Sequence, residues 1–356
     1  MSAFQAIPAI RILSRVHRVL FLLAVIFAVG CSDSNSSKSG TADFSHGAGA
    51  GGGGDDAGPE SGAGIEGGDE SQAISATCEK KDLPTESNSR SNDFQAKVIY
   101  GDDDRREFCE VSDPTKLALS DSTAILVKNE DLVDKGSVFK FNAVSFGQQF
   151  DLCKEEPYRD QPALGFCSGF LVGEDTLVTA GHCIRSEVSC QNTSFLFGFK
   201  VEKAGRAPSE VKKSEVYTCA SLVRSVVDSN GTDYAIVKLN RKVVGHNPLK
   251  MREAGAASVG DPLVVMGYPS GIPLKIAGGA RVRSTRGNFF VANLDTYGGN
   301  SGSAVFNATT GLVEGILVRG EADFVSRGGC RVSNRCADDQ CRGEDVTSIA
   351  EVLKAL

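Results

Sequence analysis

The residues of this chain best suited to chemistry lie in three short segments. Thr179-Ala180-Gly181-His182-Cys183 supplies an imidazole, Asp233-Tyr234-Ala235-Ile236-Val237-Lys238-Leu239 a carboxylate, and Gly298-Gly299-Asn300-Ser301-Gly302-Ser303 a hydroxyl. A serine hydroxyl is a poor nucleophile near neutral pH. Acyl transfer needs an imidazole to take its proton and a carboxylate to hold that imidazole in the right tautomer. In such an arrangement Ser301 attacks a carbonyl, His182 is first base and then acid to the leaving group, and Asp233 orients His182 and stabilises its cation. The backbone N–H groups of Gly299 and Ser301 would hold the oxyanion, a glycine at 299 suiting a tight turn that a side chain would resist.

Histidine usage narrows the assignment, because the chain has only four. His17 and His46 fall in segments that read as lying outside the fold. His246 sits in Val244-Gly245-His246-Asn247-Pro248, which reads as a polar turn with a solvated histidine. His182 instead ends a strand-like run, Thr176-Leu177-Val178-Thr179-Ala180, and precedes a cysteine that can clamp its turn.

Together with Cys167-Ser168-Gly169-Phe170-Leu171-Val172 ahead of the histidine, these segments resemble the chymotrypsin-like (trypsin-like) serine endopeptidases, and within them the bacterial branch that includes the glutamyl endopeptidases. The resemblance covers residues 98–356. It implies an all-β fold of two six-stranded antiparallel β-barrels with a short C-terminal helix, the triad in the cleft between the barrels, and hydrolysis of polypeptide substrates without cofactor or metal. It also implies a Cys167–Cys183 disulfide around the histidine loop. Asp295, with Thr296 beside it, falls where trypsin-like members place the acid at the base of the pocket for the residue preceding the cut. That reading favours Arg or Lys there; the competing one is a turn-forming Asp-Thr pair pointing away from the pocket.

Leu317-Val318-Arg319-Gly320 is the segment expected to pair with extended substrate as an added strand. Arg319 there could neutralise Asp295 or attract acidic side chains. The glutamyl endopeptidases place a histidine where Leu317 stands, which argues against glutamate specificity here. Asn300 replaces the aspartate that trypsin-like members carry before the serine, so no salt bridge to a new N-terminus forms at that point. Lys97-Val98-Ile99-Tyr100 nonetheless resembles a processing point, with the cut after Lys97. Some proteins of this fold are catalytically silent binding or adhesion modules; their usual sign is a missing triad residue, and none is missing here.

The elements that must position these groups read as strands. Runs rich in Val, Ile and Phe recur between turn signals at 124–127, 137–146, 194–200, 234–239, 262–268, 289–294 and 312–319, a spacing typical of all-β proteins. Only the last dozen residues read as helical, with Val346, Ile349, Val352, Leu353 and Leu356 on one face and Ser348-x-x-Glu351 as a capping box.

Upstream the composition changes. Residues 1–30 carry Arg11, Arg15 and Arg18, no acid, and an eleven-residue apolar run from Val19 to Val29, too short to span a bilayer as a helix. Ala28-Val29-Gly30-Cys31 then resembles a bacterial lipoprotein cleavage box, in which Cys31 is lipidated and becomes the mature N-terminus; an ordinary secretory signal is the alternative. Residues 31–75 are rich in Gly, Ser, Ala and Asp and read as a flexible tether. Residues 76–97 read as a pro-segment, and 98–356 as the peptidase domain. Eleven cysteines become ten once Cys31 is acylated, an even number suited to full pairing in an oxidising compartment. Cys190 with Cys219 and Cys78 with Cys109 are candidate pairs; Cys153, Cys330, Cys336 and Cys341 stay unassigned, a zinc site being the alternative for the last three. Loss of residues 1–30 moves the net charge from −7 to −10, which argues against nucleic acid as a partner. The expectation is an exported, monomeric cell-envelope lipoprotein, at the outer membrane on its periplasmic or surface face and releasable by processing.

Overall fold

Twelve strands close into two barrels, and we number them in chain order. The first barrel comprises β1 (Thr123–Lys128), β2 (Cys167–Gly173), β3 (Thr176–Thr179), β4 (Thr193–Leu196), β5 (Val216–Val227) and β6 (Asp233–Leu239). The second comprises β7 (Pro262–Gly267), β8 (Lys275–Arg286), β9 (Phe289–Ala292), β10 (Ala304–Asn307), β11 (Val313–Arg319) and β12 (Glu344–Ser348). This computed structural model describes residues 78–84 and 99–356. The expected signal peptide, lipidated Cys31, the tether and the cut after Lys97 lie outside the described residues.

Pairing in the first barrel runs β1-β2-β3-β6-β5-β4 and closes back on β1; in the second it runs β7-β8-β9-β12-β11-β10 and closes on β7. Adding six to each strand number of the first order yields the second. The topology is therefore repeated although the sequence shows no repeat. Among the described residues no helix is long and apolar enough to cross a membrane.

Strand alternation explains why so many of these runs are buried on both faces. Along β6, Ala235, Val237 and Leu239 point into the first barrel, whereas Tyr234 and Ile236 point into a core shared with the second. β7 repeats the division, with Leu263 and Val265 in the second barrel's interior and Val264 and Met266 in the shared core. Side chains alternate across a strand, so a barrel packed against another must be apolar at odd and even positions alike. Each fully buried Phe, Ile or Val contributes about 1.5–3 kcal/mol. Phe170, Val178, Ile276, Phe306 and Ile316 join the shared core, which fixes the two barrels against each other.

The seven expected runs and the strand-like 176–180 run each contain a strand, but β2, β5, β8, β10 and β12 lie outside them, and the terminal helix changes. β5 and β8 were not legible: each has twelve residues, and much of β5 faces solvent with Ser, Thr and Arg among its apolar positions, while β8 carries Gly278-Gly279 and three arginines. The terminal helix is shorter than expected, Ile349–Leu353, with Ser348 as its cap accepting from the Ala350 N–H. Val346 lies in β12 and Leu356 is exposed. Glu351 bonds Lys354 rather than closing a capping box.

All ten described cysteines pair: Cys78–Cys109, Cys153–Cys330, Cys167–Cys183, Cys190–Cys219 and Cys336–Cys341. The cluster that was open to zinc is thus spent on two bridges. Residues 78–84 lie along the domain, tied by the Cys78 bridge, by a parallel contact of Lys81 with Val111 and by the Gly279 N–H on the Pro84 carbonyl at 2.9 Å.

The segment preceding the first barrel belongs to the second. Ile99–Tyr100 pairs in parallel with Arg335–Cys336, and Arg105–Glu107 adds to β8 as a seventh strand. Between them Arg105, 1% exposed, grips Asp103 with two nitrogens at 2.8 and 2.7 Å and stacks 4.1 Å from the Tyr297 ring centroid. Removing one member of a buried ion pair strands the other. Arg105→Met is expected to destabilise the domain by about 3–5 kcal/mol in urea unfolding. Lys242→Ala, at an exposed pair with Glu174, should leave the midpoint unchanged.

Candidate active site

His182 and Asp233 meet because of strand register. β3 and β6 run antiparallel with Thr179 opposite Ala235. His182 follows Thr179 by three residues and Asp233 precedes Ala235 by two, so both emerge at the same end of the ladder. The His182 Nδ1 lies 2.8 Å from Asp233 Oδ2, and the His182 backbone N–H donates to Oδ1 at 3.0 Å. A carboxylate only accepts, so Nδ1 carries the proton and Nε2 of the neutral ring is left as an acceptor. Asp233 is 2% exposed and its own N–H donates to Thr347 Oγ1 on β12 at 3.2 Å. Burial pushes the Asp233 carboxyl up, but the hydrogen bond and charge of His182, with Arg319 adding to them, hold it below the ordinary carboxylate value.

Ser301 arrives from the other barrel, on the loop joining β9 to β10. Ser168 of β2 grips that loop. Its N–H donates to the Ser301 carbonyl at 2.8 Å, its hydroxyl donates to the Gly299 carbonyl at 2.8 Å and accepts from the Tyr268 N–H at 3.0 Å, and its carbonyl accepts from the Thr179 hydroxyl at 2.6 Å. Gly302 then turns the chain at φ +92°, where a Cβ would run into the Ser168 carbonyl and the Thr179 hydroxyl. Only glycine allows that approach. The Cys183 sulfur, bridged to Cys167, lies 3.7 Å from the Ser301 carbonyl oxygen. The histidine turn and the serine loop are therefore in contact. Among the described residues no hydrogen bond yet joins the Ser301 hydroxyl to the imidazole, a contact that commonly tightens only with substrate in place.

The N–H groups of Gly299 and Ser301 donate to no other group among the described residues, whereas the neighbouring N–H groups of Asn300, Gly302 and Ser303 bond Tyr297, Leu317 and Asn300 carbonyls. Gly299 has φ +88°, the left-handed region where glycine is favoured.

A cleft of about 320 Å³ opens beside Ser301, and Leu317, Val318, Arg319 and Gly320 are among the residues that line it. Asp295 and Thr296 are not. Asp295 is 4% exposed, and its two oxygens accept from the Tyr100 and Asp104 N–H groups, each at 2.8 Å. Burial first, then the charge of Asp103, pushes its carboxyl well above the ordinary value. Its role is to clamp the segment before the first barrel. Thr296 is buried and donates to Glu344.

Arg319 neither neutralises Asp295 nor offers a free cation. Its Nε bonds Asp345 at 3.1 Å, its Nη2 the Gly231 carbonyl at 3.0 Å, and its Nη1 lies 3.8 Å from Asp233 Oδ2. His246, read as solvated, instead stacks on Phe197 at 4.6 Å and pairs with Glu215 at 2.8 Å. Thr347 and Glu344 went unnoticed in the sequence, and Ser168 was noticed only as part of the 167–172 segment, since the partners of a buried serine, threonine or glutamate leave no local pattern.

Residues 167–316 match the family model of the trypsin-like peptidase domain, a span that takes in His182, Asp233 and Ser301. Over 159 residues the chain is 31% identical to the secreted RxLR effector protein 73 of Plasmopara viticola, covering 40% of this chain and 38% of that protein. Over 167 residues it is 28% identical to the glutamyl endopeptidase of Bacillus licheniformis, covering 43% and 50%. The chain thus spans half or less of the length of these curated relatives. Among solved structures, a Glu endopeptidase in complex with MPD aligns at a TM-score of 0.44 and 17% identity, covering 72% of this chain and 96% of that one.

Two outcomes follow from the site. Asp233→Asn keeps the fold but offers His182 a different partner; where turnover is measured it should fall about 10⁴-fold. Glu344 has its carboxyl raised from 4.5 to about 8, by burial first and by Asp323 as well, against the Glu321 N–H, Thr296 and Arg342. The unfolded chain releases this proton near 4.5 and the folded chain only near 8, so stability is lost as pH rises through that window. Urea unfolding from pH 5 to 8 should show that Glu344→Gln lessens this loss, leaving the contributions of Asp295, whose carboxyl is held well above the ordinary value, and of Asp104 and Asp323, raised by burial to about 7 and about 6.

Proposed function

We propose that this protein is a serine endopeptidase working through a His182–Asp233–Ser301 triad. The observation that carries the reading is the 2.8 Å bond between His182 Nδ1 and a buried Asp233, made beside a serine loop whose Gly299 and Ser301 N–H groups have no other acceptor among the described residues. Ser301 attacks the peptide carbonyl and His182 takes its proton through Nε2. Asp233 keeps the ring in that tautomer and offsets the charge it gains. The two N–H groups receive the oxyanion; one such donor is typically worth about 3 kcal/mol in the transition state. His182 then protonates the leaving amine, and water repeats the sequence on the acyl-enzyme.

Substrate polypeptide pairs with the 317–320 segment as an added strand, and the preferred residue before the cut is basic. Five disulfides among the described residues support export to an oxidising compartment, and the 28–31 sequence supports anchoring through lipidated Cys31.

The test is labelling by a fluorophosphonate probe, which reacts only with an activated serine, on the chain and on a form beginning at Val98, with Ser301→Ala as control. Labelling of wild type and not of Ser301→Ala is expected. Absence of labelling in folded protein would make this a silent binding module. Protein cut after Lys97 should run as one species without reductant and release an N-terminal fragment with it, because Cys78 is bridged to Cys109.

A further inference from the structure

Three of the six polar side chains lining the cleft beside Ser301 are acidic: Glu321, Asp323 and Glu344. The one cation on its wall, Arg319, is committed to Asp345, Gly231 and Asp233. Glu344 is 3% exposed. Two neutral donors meet it, the Thr296 hydroxyl at 3.1 Å on Oε2 and the Glu321 N–H at 3.3 Å on Oε1. No Lys or Arg lies within ion-pair distance of it among the described residues; Arg342, two positions before it, reaches Asp345 at 2.7 Å instead. Its carboxylate also presses on Gly320, where a Cβ would overlap both oxygens, so the acid sits flush behind the strand end expected to hold substrate.

A buried carboxylate without a counter-ion is costly to keep charged, and burial with the neighbouring Asp323 does push Glu344 up to about 8. An opposite charge brought within a few ångströms removes that cost. We propose that Glu344 is the specificity-determining residue of this cleft, which takes the cationic side chain of a lysine or arginine preceding the cut. The inference rests on the endopeptidase reading above and deepens it. It transfers to Glu344 the role that sequence position suggested for Asp295, whose oxygens are both occupied by backbone N–H groups. It also separates this chain from a glutamate-cleaving enzyme, because an acidic side chain would meet acidic groups and no free cation on the cleft wall.

Two measurements test it. In the first, 4-aminobenzamidine, a small aromatic cation, is titrated by fluorescence into Ser301→Ala, which needs no turnover, and into Ser301→Ala carrying Glu344→Gln or Glu344→Asp, each checked for folding by circular dichroism. Glu344→Gln is expected to weaken binding about 30-fold or more, as loss of one partner of a buried charge pair does, and Glu344→Asp to weaken it less. In the second, kcat/KM is compared for peptides differing only in Lys, Arg, Phe or Glu before the cut. Lys and Arg should be preferred, with Glu344→Gln losing that preference chiefly through KM. Cation binding unchanged by Glu344→Gln, or a wild-type preference for Phe or Glu, would overturn the assignment. Cation binding that depends on Glu344 without fluorophosphonate labelling of wild type would sink the peptidase reading while leaving the cation site standing.

Discussion

The site depends on how closely two backbones approach at the seam between the barrels. Ser168 sits on the first barrel and satisfies three backbone groups of the second, those of Gly299, Ser301 and Tyr268. Buried polar groups left unpaired cost about 1–3 kcal/mol each, so the serine loop has one well-satisfied seat. Gly302 lets it reach that seat, since the space a side chain would need is taken by Ser168 and Thr179. The Ser301 loop of one barrel and the His182 turn of the other are thereby held in contact by groups other than the Ser301 hydroxyl and the imidazole.

Around this seam the buried charges have distinct jobs set by their partners. Asp233 is held ionised by His182 and Arg319. Asp295 is turned inward to clamp the segment at Tyr100 and Asp104, and Arg105 balances Asp103 beside it. Asp323 accepts the Gly298 N–H at 2.8 Å, which steadies the start of the serine loop. Glu344, like Asp323, faces the cleft with neutral hydrogen-bond partners only. These carboxylates thus differ in the ease with which they ionise because each sees a different set of donors and charges and a different depth of burial.

The Asn at position 300 fits the same economy of charge. Trypsin-like enzymes were expected to need an acid there for a new N-terminus; here Asn300 bonds Ser303 at 3.2 Å and the Tyr297 carbonyl, and the upstream segment docks instead through strand pairing and Asp295. The clamp acts on backbone N–H groups, so it does not require a free amine.

How much was legible in advance differs by residue. The segments carrying His182, Asp233 and Ser301 were, because each sits in a short motif whose glycines and apolar neighbours are dictated locally. β6 and β11 were, because burial on both faces leaves continuous apolar runs. β5 and β8 were not, since a long, bent strand half in solvent has the composition of a loop. Asp295 was legible only as a position, and position along the chain does not say which way a side chain turns. The chain by itself determined which residues could do chemistry and that they would ride on strands. Tertiary structure alone decided which carboxylates face the cleft, that Arg319 lies against Asp233, and that Ser168 seats the Ser301 loop, because those assignments rest on contacts between residues far apart in the chain, whose partners exist only once both barrels have closed.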